Sequence, residues 1–228
     1  MLKHKFTASN IFLVIINLVP LFGVWFWGWN AAQIFLVYSL ETIIIGVVNV
    51  VKMAIVTMFV KPKDVWENQG SRNMISGWFF ILFFILHYGF FVFVQTQIFF
   101  AVSGVIKSGS AFSFSQYAAI PEALGPDGRL LILIFIGYHV LQAYLNFIRT
   151  GAYKKISMGR LMFQPYIRIF IQQFIVIFGS LFLSMGAGNI FIVVVVLVNI
   201  FFELFVNFDQ IMQVAEKKQK EESEKLNL

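Results

Sequence analysis

The chain has 228 residues, of which 59% are hydrophobic and only 12% charged. An ordinary soluble domain is about 25% charged, and a water-soluble globule of this length leaves too much surface to hide so many apolar side chains. No cysteine is present, which excludes disulfides, thiolate metal sites, iron–sulfur clusters and thiol nucleophiles. The formal net charge of +6 is then read as basic loops facing anionic lipid, and no nucleic-acid partner is expected.

A membrane-spanning helix needs about 20 mostly apolar residues. Six stretches meet that demand, at residues 9–28, 33–57, 75–101, 130–148, 165–185 and 190–208. They predict an all-α polytopic membrane protein, a bundle of six transmembrane helices over residues 1–213, with a charged tail at 214–228 that alternates Lys and Glu. The first stretch runs from Ile11 through Trp25, Trp27 and Trp29 without a small-residue cleavage site, so it is read as a retained helix and not as a signal peptide. Its tryptophans fit an interfacial belt.

Turn chemistry separates the stretches. Lys61-Pro62-Lys63-Asp64 ends the second, Pro121 and Gly125-Pro126-Asp127-Gly128 precede the fourth, and Gly186-Ala187-Gly188-Asn189 divides the fifth from the sixth. The connections at Asn30 and at residues 186–189 are short enough to make the flanking helices antiparallel neighbours. The connection at 103–128, rich in Ser, Ala and aromatic residues, reads as a surface loop or a short re-entrant segment. No internal repeat is evident.

Most of the 17 Lys and Arg residues fall on one side of a six-span chain. That side holds Lys3 and Lys5, then Lys61, Lys63 and Arg72, then Arg149, Lys154, Lys155 and Arg160, and finally the lysines of the tail. The other side has Lys107 and Arg129. The positive-inside rule therefore places both termini in the cytoplasm.

Ionisable residues at membrane depth cost several kcal/mol unless they are paired, hydrated or at an edge, so Glu41, Lys52, His87, His139, Arg168 and Glu203 are informative. Their neighbours recur at helical spacing. Glu41, Asn49 and Lys52 share a face of the second stretch, and His139, Gln142, Asn146 and Arg149 share one of the fourth. Arg168 and Gln172 do so in the fifth, Asn199, Glu203 and Asn207 in the sixth, and His87, Phe91 and Gln95 make a looser stripe in the third. At about 1.5 Å per residue, His87 and His139 fall near the membrane centre and Glu41 in the outer half. Asn49, Lys52, Gln142, Asn146, Arg168, Gln172 and Glu203 fall in the inner half. The expectation is a polar interior widening towards the cytoplasm. Each residue also has a plainer role: Lys52 and Arg168 snorkelling to the surface, and amide stripes holding helices together.

Signatures of soluble enzymes are missing: there is no HExxH, GxSxG, phosphate-cradling glycine loop or dinucleotide fingerprint. His87 and His139 with a carboxylate make a metal or haem site arithmetically possible, but their spacing gives it no specific support. No cofactor is predicted.

Pro20-Leu21-Phe22-Gly23-Val24, the run YSLETIIIGVVNVVKM at 38–53, His87-Tyr88-Gly89-Phe90, Tyr138-His139 with Asn146-Phe147, and Gln164-Pro165-Tyr166-Ile167-Arg168-Ile169 together resemble a family. It comprises small polytopic membrane proteins of bacteria and archaea, catalogued only as a domain of unknown function. The resemblance covers nearly the whole membrane portion. It implies a multi-pass protein of a prokaryotic inner membrane and says little about chemistry. Related chains carry further membrane histidines near the positions of Gln95 and Gln172, which implies that a histidine-based metal site is depleted here.

Three functions compete. The first is a transporter or channel subunit for a small polar solute or ion, with protonation of Glu41, Glu203 or the histidines coupled to movement. Six helices without a repeat are few for alternating access, so this function calls for a homo-oligomer. The second is a non-catalytic assembly subunit whose polar stripes only pack helices. The third is an intramembrane metal- or haem-dependent enzyme using His87 and His139.

Overall fold

In a computed structural model, residues 8–60, 64–68, 71–103 and 115–205 are described. They form α1 (Ala8–Phe26), α2 (Ala31–Ile55), β1 (Asp64–Asn68), β2 (Ser71–Ile75), α3 (Gly77–Ser103), α4 (Ser115–Ala118), α5 (Ile120–Ala123), α6 (Gly125–Ala143), α7 (Met158–Ser184) and α8 (Gly188–Phe205). Each of the six apolar stretches is therefore helical along most of its length. Among the described residues three helices are long and apolar enough to cross a membrane: Ala31–Val60, Gly77–Ala101 and Gly125–Ile148. The tail at 214–228 and residues 61–63 lie outside the described residues.

The helix starts follow local chemistry. Asn30 caps α2, its Oδ1 accepting from Ala32 N at 2.9 Å and Gln33 N at 3.3 Å, which satisfies backbone donors that a helix start leaves unpaired. Gly28 takes a positive φ of 70° in the turn before it, a conformation that glycine adopts without a steric penalty. At the other tight connection Gly186, with φ 75°, ends α7 and α8 follows two residues later.

Two helices begin earlier than expected. The fourth stretch was placed at residue 130, but α6 starts at Gly125, so Gly125-Pro126-Asp127-Gly128 is its first turn and not a preceding break. Proline at the start of a helix loses no intrahelical bond, and Asp127 sits in the first turn, where a negative charge complements the helix dipole. Likewise α7 begins at Met158, with Pro165 inside it. Ser157 opens that helix, its Oγ accepting from Arg160 N at 3.2 Å. The strands β1 and β2 make an antiparallel hairpin in register Asp64↔Ile75 to Asn68↔Ser71, where the sequence predicts only a connection and the start of the third stretch.

At their C-terminal ends α2 and α6 each widen into a π turn, Val56–Val60 and Tyr144–Ile148. Helix α2 is the hub: it packs against α3, α6, α7 and α8, while α1 lies against α8. This explains why Ile34 to Thr42 is buried without a break. Two apolar cores result. One surrounds Phe35, Tyr38, Phe99, Phe135, Ile175 and Phe191, and the other surrounds Met53, Phe84, Tyr88, Phe147, Met158 and Leu161. Along α2 the polar residues Glu41, Thr42 and Asn49 fall between them. The outward faces, such as Trp78, Leu82, Leu86 and Phe90 of α3, are exposed and apolar, as lipid contact requires.

Candidate functional site

The junction between the two cores carries the buried polar chemistry. Glu41 of α2 and His139 of α6 meet there: His139 Nε2 lies 2.8 Å from Glu41 Oε1, and the side chains are only 6% and 3% exposed. Helical geometry aims them at one another. Tyr38 packs its ring against Phe135 at 5.8 Å one turn earlier in both helices, and that contact sets the register of α2 and α6. The His139 ring is held edge-on by Tyr138 at 5.1 Å, and the Tyr138 hydroxyl accepts from Gln142 Nε2 at 3.3 Å.

A carboxylate and an imidazole at hydrogen-bond distance hold a proton between them. The pair can exist as ionised Glu41 accepting from neutral His139 Nε2–H, or it can take up one further proton. The two states differ by one unit of charge in a low-dielectric interior, where that difference is felt strongly.

The second histidine lies elsewhere. His87 of α3 is exposed on the outer side of the bundle, its Nδ1 2.8 Å from the Tyr166 hydroxyl of α7. It stacks on Phe83 at 5.2 Å and meets the edge of Phe91. The two histidines thus have different partners, and among the described residues no three His, Asp or Glu side chains gather as a metal site would require.

The remaining sequence-predicted residues take several roles. Asn49 is buried and donates from Nδ2 to Leu161 O at 3.0 Å, joining α2 to α7. Lys52 is half-buried with Nζ 5.7 Å from the centre of the Phe147 ring, a cation–π distance. Gln142 is half-buried and Asn146 exposed. Arg168 and Gln172 belong to α7 and Glu203 to α8, and their side chains lie outside the described set. In the third helix the expected stripe divides: His87 and Phe91 are exposed, whereas Gln95 is completely buried.

Several interior polar residues were not singled out from sequence. Tyr88 donates to Thr42 O at 2.8 Å and ties α3 to α2. Ser39, Thr42, Thr96 and Gln97 are all nearly or fully buried. A hydroxyl can satisfy itself on its own helix, as Ser39 does on Leu36 O and Thr96 on Val92 O, so its presence in an apolar stretch carries little signal.

No curated protein and no solved structure matches the chain. A family model does, over residues 1–226, and its description is a family of unknown function, DUF6498. With nearly its whole length matched, the chain belongs to that family.

Proposed function

We propose that this is a multi-pass membrane protein of six spans, with both termini in the cytoplasm, acting as a transporter or channel subunit for a small polar solute or ion. Movement is linked to protonation of the Glu41–His139 pair. The observation that carries this proposal is the pair itself, at 2.8 Å and almost fully buried in helices rich in apolar residues. A buried carboxylate is expensive in such surroundings, and two well-packed apolar residues would often serve stability as well or better. A proton-handling role gives the pair a reason to exist. The π turns closing α2 and α6, the two helices that carry it, also favour function, since π segments recur at functional sites.

A second role, as an assembly subunit, is favoured by a different observation. Asn49 on Leu161 O and Tyr88 on Thr42 O are interhelical hydrogen bonds of the kind that simply holds membrane helices together.

The test is flux in proteoliposomes carrying a lumenal pH dye, with ions and small polar solutes added in turn. Proton-linked movement of at least one of them is expected in the wild type and lost in Glu41→Gln and His139→Gln. No linked movement with any solute, from protein that is folded and inserted, points to the assembly role. Because the natural chain lacks cysteine, single cysteines at Asp127 and Lys154 test the topology. An impermeant maleimide added outside cells should label the first and spare the second.

A further inference from the structure

Gln95 of α3 is fully buried, with 0% of its surface exposed, and neither its Nε2 nor its Oε1 has a hydrogen-bond partner. Such groups are rare because a buried amide loses its bonds to water and gains nothing in return. Where one persists in a native fold, a bound water or ligand is the usual reason.

The register of α2 and α3 shows what faces it. Phe35 packs against Phe99 at 5.4 Å, and Gly46 lies against the Tyr88 ring. These antiparallel pairings place residue 39 opposite residue 95. Ser39 is fully buried, and its Oγ donates to Leu36 O at 2.8 Å, which leaves the oxygen's lone pairs as acceptors. An amide and a hydroxyl thus confront one another across the helix interface without a direct bond. Helix α7 passes the same level between Gln172 and Ile175, the latter part of the same apolar core as Phe99. Glu41, two residues beyond Ser39, leaves α2 about 200° further round the helix, towards α6. The Gln95 layer is therefore separate from the Glu41–His139 pair.

We infer that the interface of α2 and α3 at Ser39 and Gln95 binds a neutral molecule that both donates and accepts hydrogen bonds. Among the described residues, the polar groups facing it are an uncharged amide and an uncharged hydroxyl, so an ion gains no counter-charge from them. The amide needs an acceptor for Nε2 and a donor for Oε1. One small hydroxyl- or amide-bearing molecule supplies both, and so does water. The layer does not depend on proton-linked transport: it is occupied whether or not the pair carries protons.

The experiment is nuclear magnetic resonance of the full chain in lipid bilayers, with ¹⁵N in the glutamine side chains. The Gln95 signal is assigned by its loss in Gln95→Leu, or by its displacement in Gln95→Asn should the leucine variant not fold. Magnetisation transfer from water to the amide is measured first, and glycerol and acetamide are then titrated as probes. Transfer from water without a saturable shift assigns the site to water. A saturable shift with either probe assigns it to a small neutral solute. In both cases Ser39→Ala should weaken the effect several-fold. An amide with no water transfer and no probe-dependent shift is dry, and that result overturns the inference. Wild-type protein that shows the Gln95 signals but moves no solute in the flux assay would count against the proton-linked function alone.

Discussion

A methyl group added at Gly46 tests the packing on which the polar junction rests. A Cβ built there would lie 2.5 Å from Tyr88 Cε1 and 3.1 Å from Cδ1, whereas carbon atoms in contact sit about 3.5–4.0 Å apart. The ring would have to withdraw by about 1 Å. Three contacts oppose this: the Tyr88 hydroxyl is bonded to Thr42 O at 2.8 Å, its face stacks on Phe84 at 4.7 Å, and Tyr166 meets it edge-on at 5.8 Å. Overpacking of this kind costs about 1–3 kcal/mol, and loss of the hydroxyl bond adds about 1 kcal/mol. Alanine's better helix propensity returns up to about 1 kcal/mol. Gly46→Ala is therefore expected to destabilise the protein by about 1–3 kcal/mol net. Reversible denaturant unfolding in mixed micelles measures it. The same substitution in a Tyr88→Leu background, where the ring is gone, should cost at least about 1 kcal/mol less. Equal stability of Gly46→Ala and wild type, or strict additivity with Tyr88→Leu, would refute the reasoning.

Two further outcomes follow from the described geometry. Glu41→Ala leaves the buried His139 Nε2–H without this acceptor and should cost about 1–3 kcal/mol, whereas replacing both members by Leu should recover most of that loss; paired unfolding curves decide. Tyr117 of α4 titrates above its ordinary value of 10.0, because burial outweighs its hydrogen bonds to Gln97 and Thr96. The unfolded chain then ionises first, so the neutral phenol's contribution is whole below pH 10 and is lost as pH rises above it. Relative to Tyr117→Phe, wild type should lose stability only above that pH.

The helices were legible because their signal is redundant. Runs of about twenty apolar residues, a short connection at Asn30 and glycine-marked breaks all point to the same elements. The boundaries slipped where proline was read as marking the edge of a helix. Pro126 opens α6 and Pro165 lies within α7, because position along the helix, and not residue type, decides what a missing N–H costs. The β1–β2 hairpin escaped because five-residue strands are too short for periodicity to separate them from a loop.

At the site, Glu41 and His139 were chosen singly by depth, and the structure pairs them. Nothing in sequence could join residues on α2 and α6, since that contact is set by the packing of Tyr38 on Phe135. His87 was chosen by the same rule and lies on the outer side with Tyr166, because depth says nothing about which way a helix face turns. Gln95 was visible only as the end of a loose stripe with His87. Eight residues after His87 the helix has turned about 80° beyond two full turns, enough to carry the side chain from the exposed face into the interior.

The most direct test of the central claim is infrared titration of the protein in lipid membranes, comparing wild type with Glu41→Gln and His139→Gln. A carboxylic-acid band that appears and disappears with pH, is missing in Glu41→Gln and is displaced in His139→Gln, is the predicted result. A spectrum in which no carboxyl at Glu41 changes its protonation across the pH range tolerated by the fold would contradict a proton-handling role for the pair.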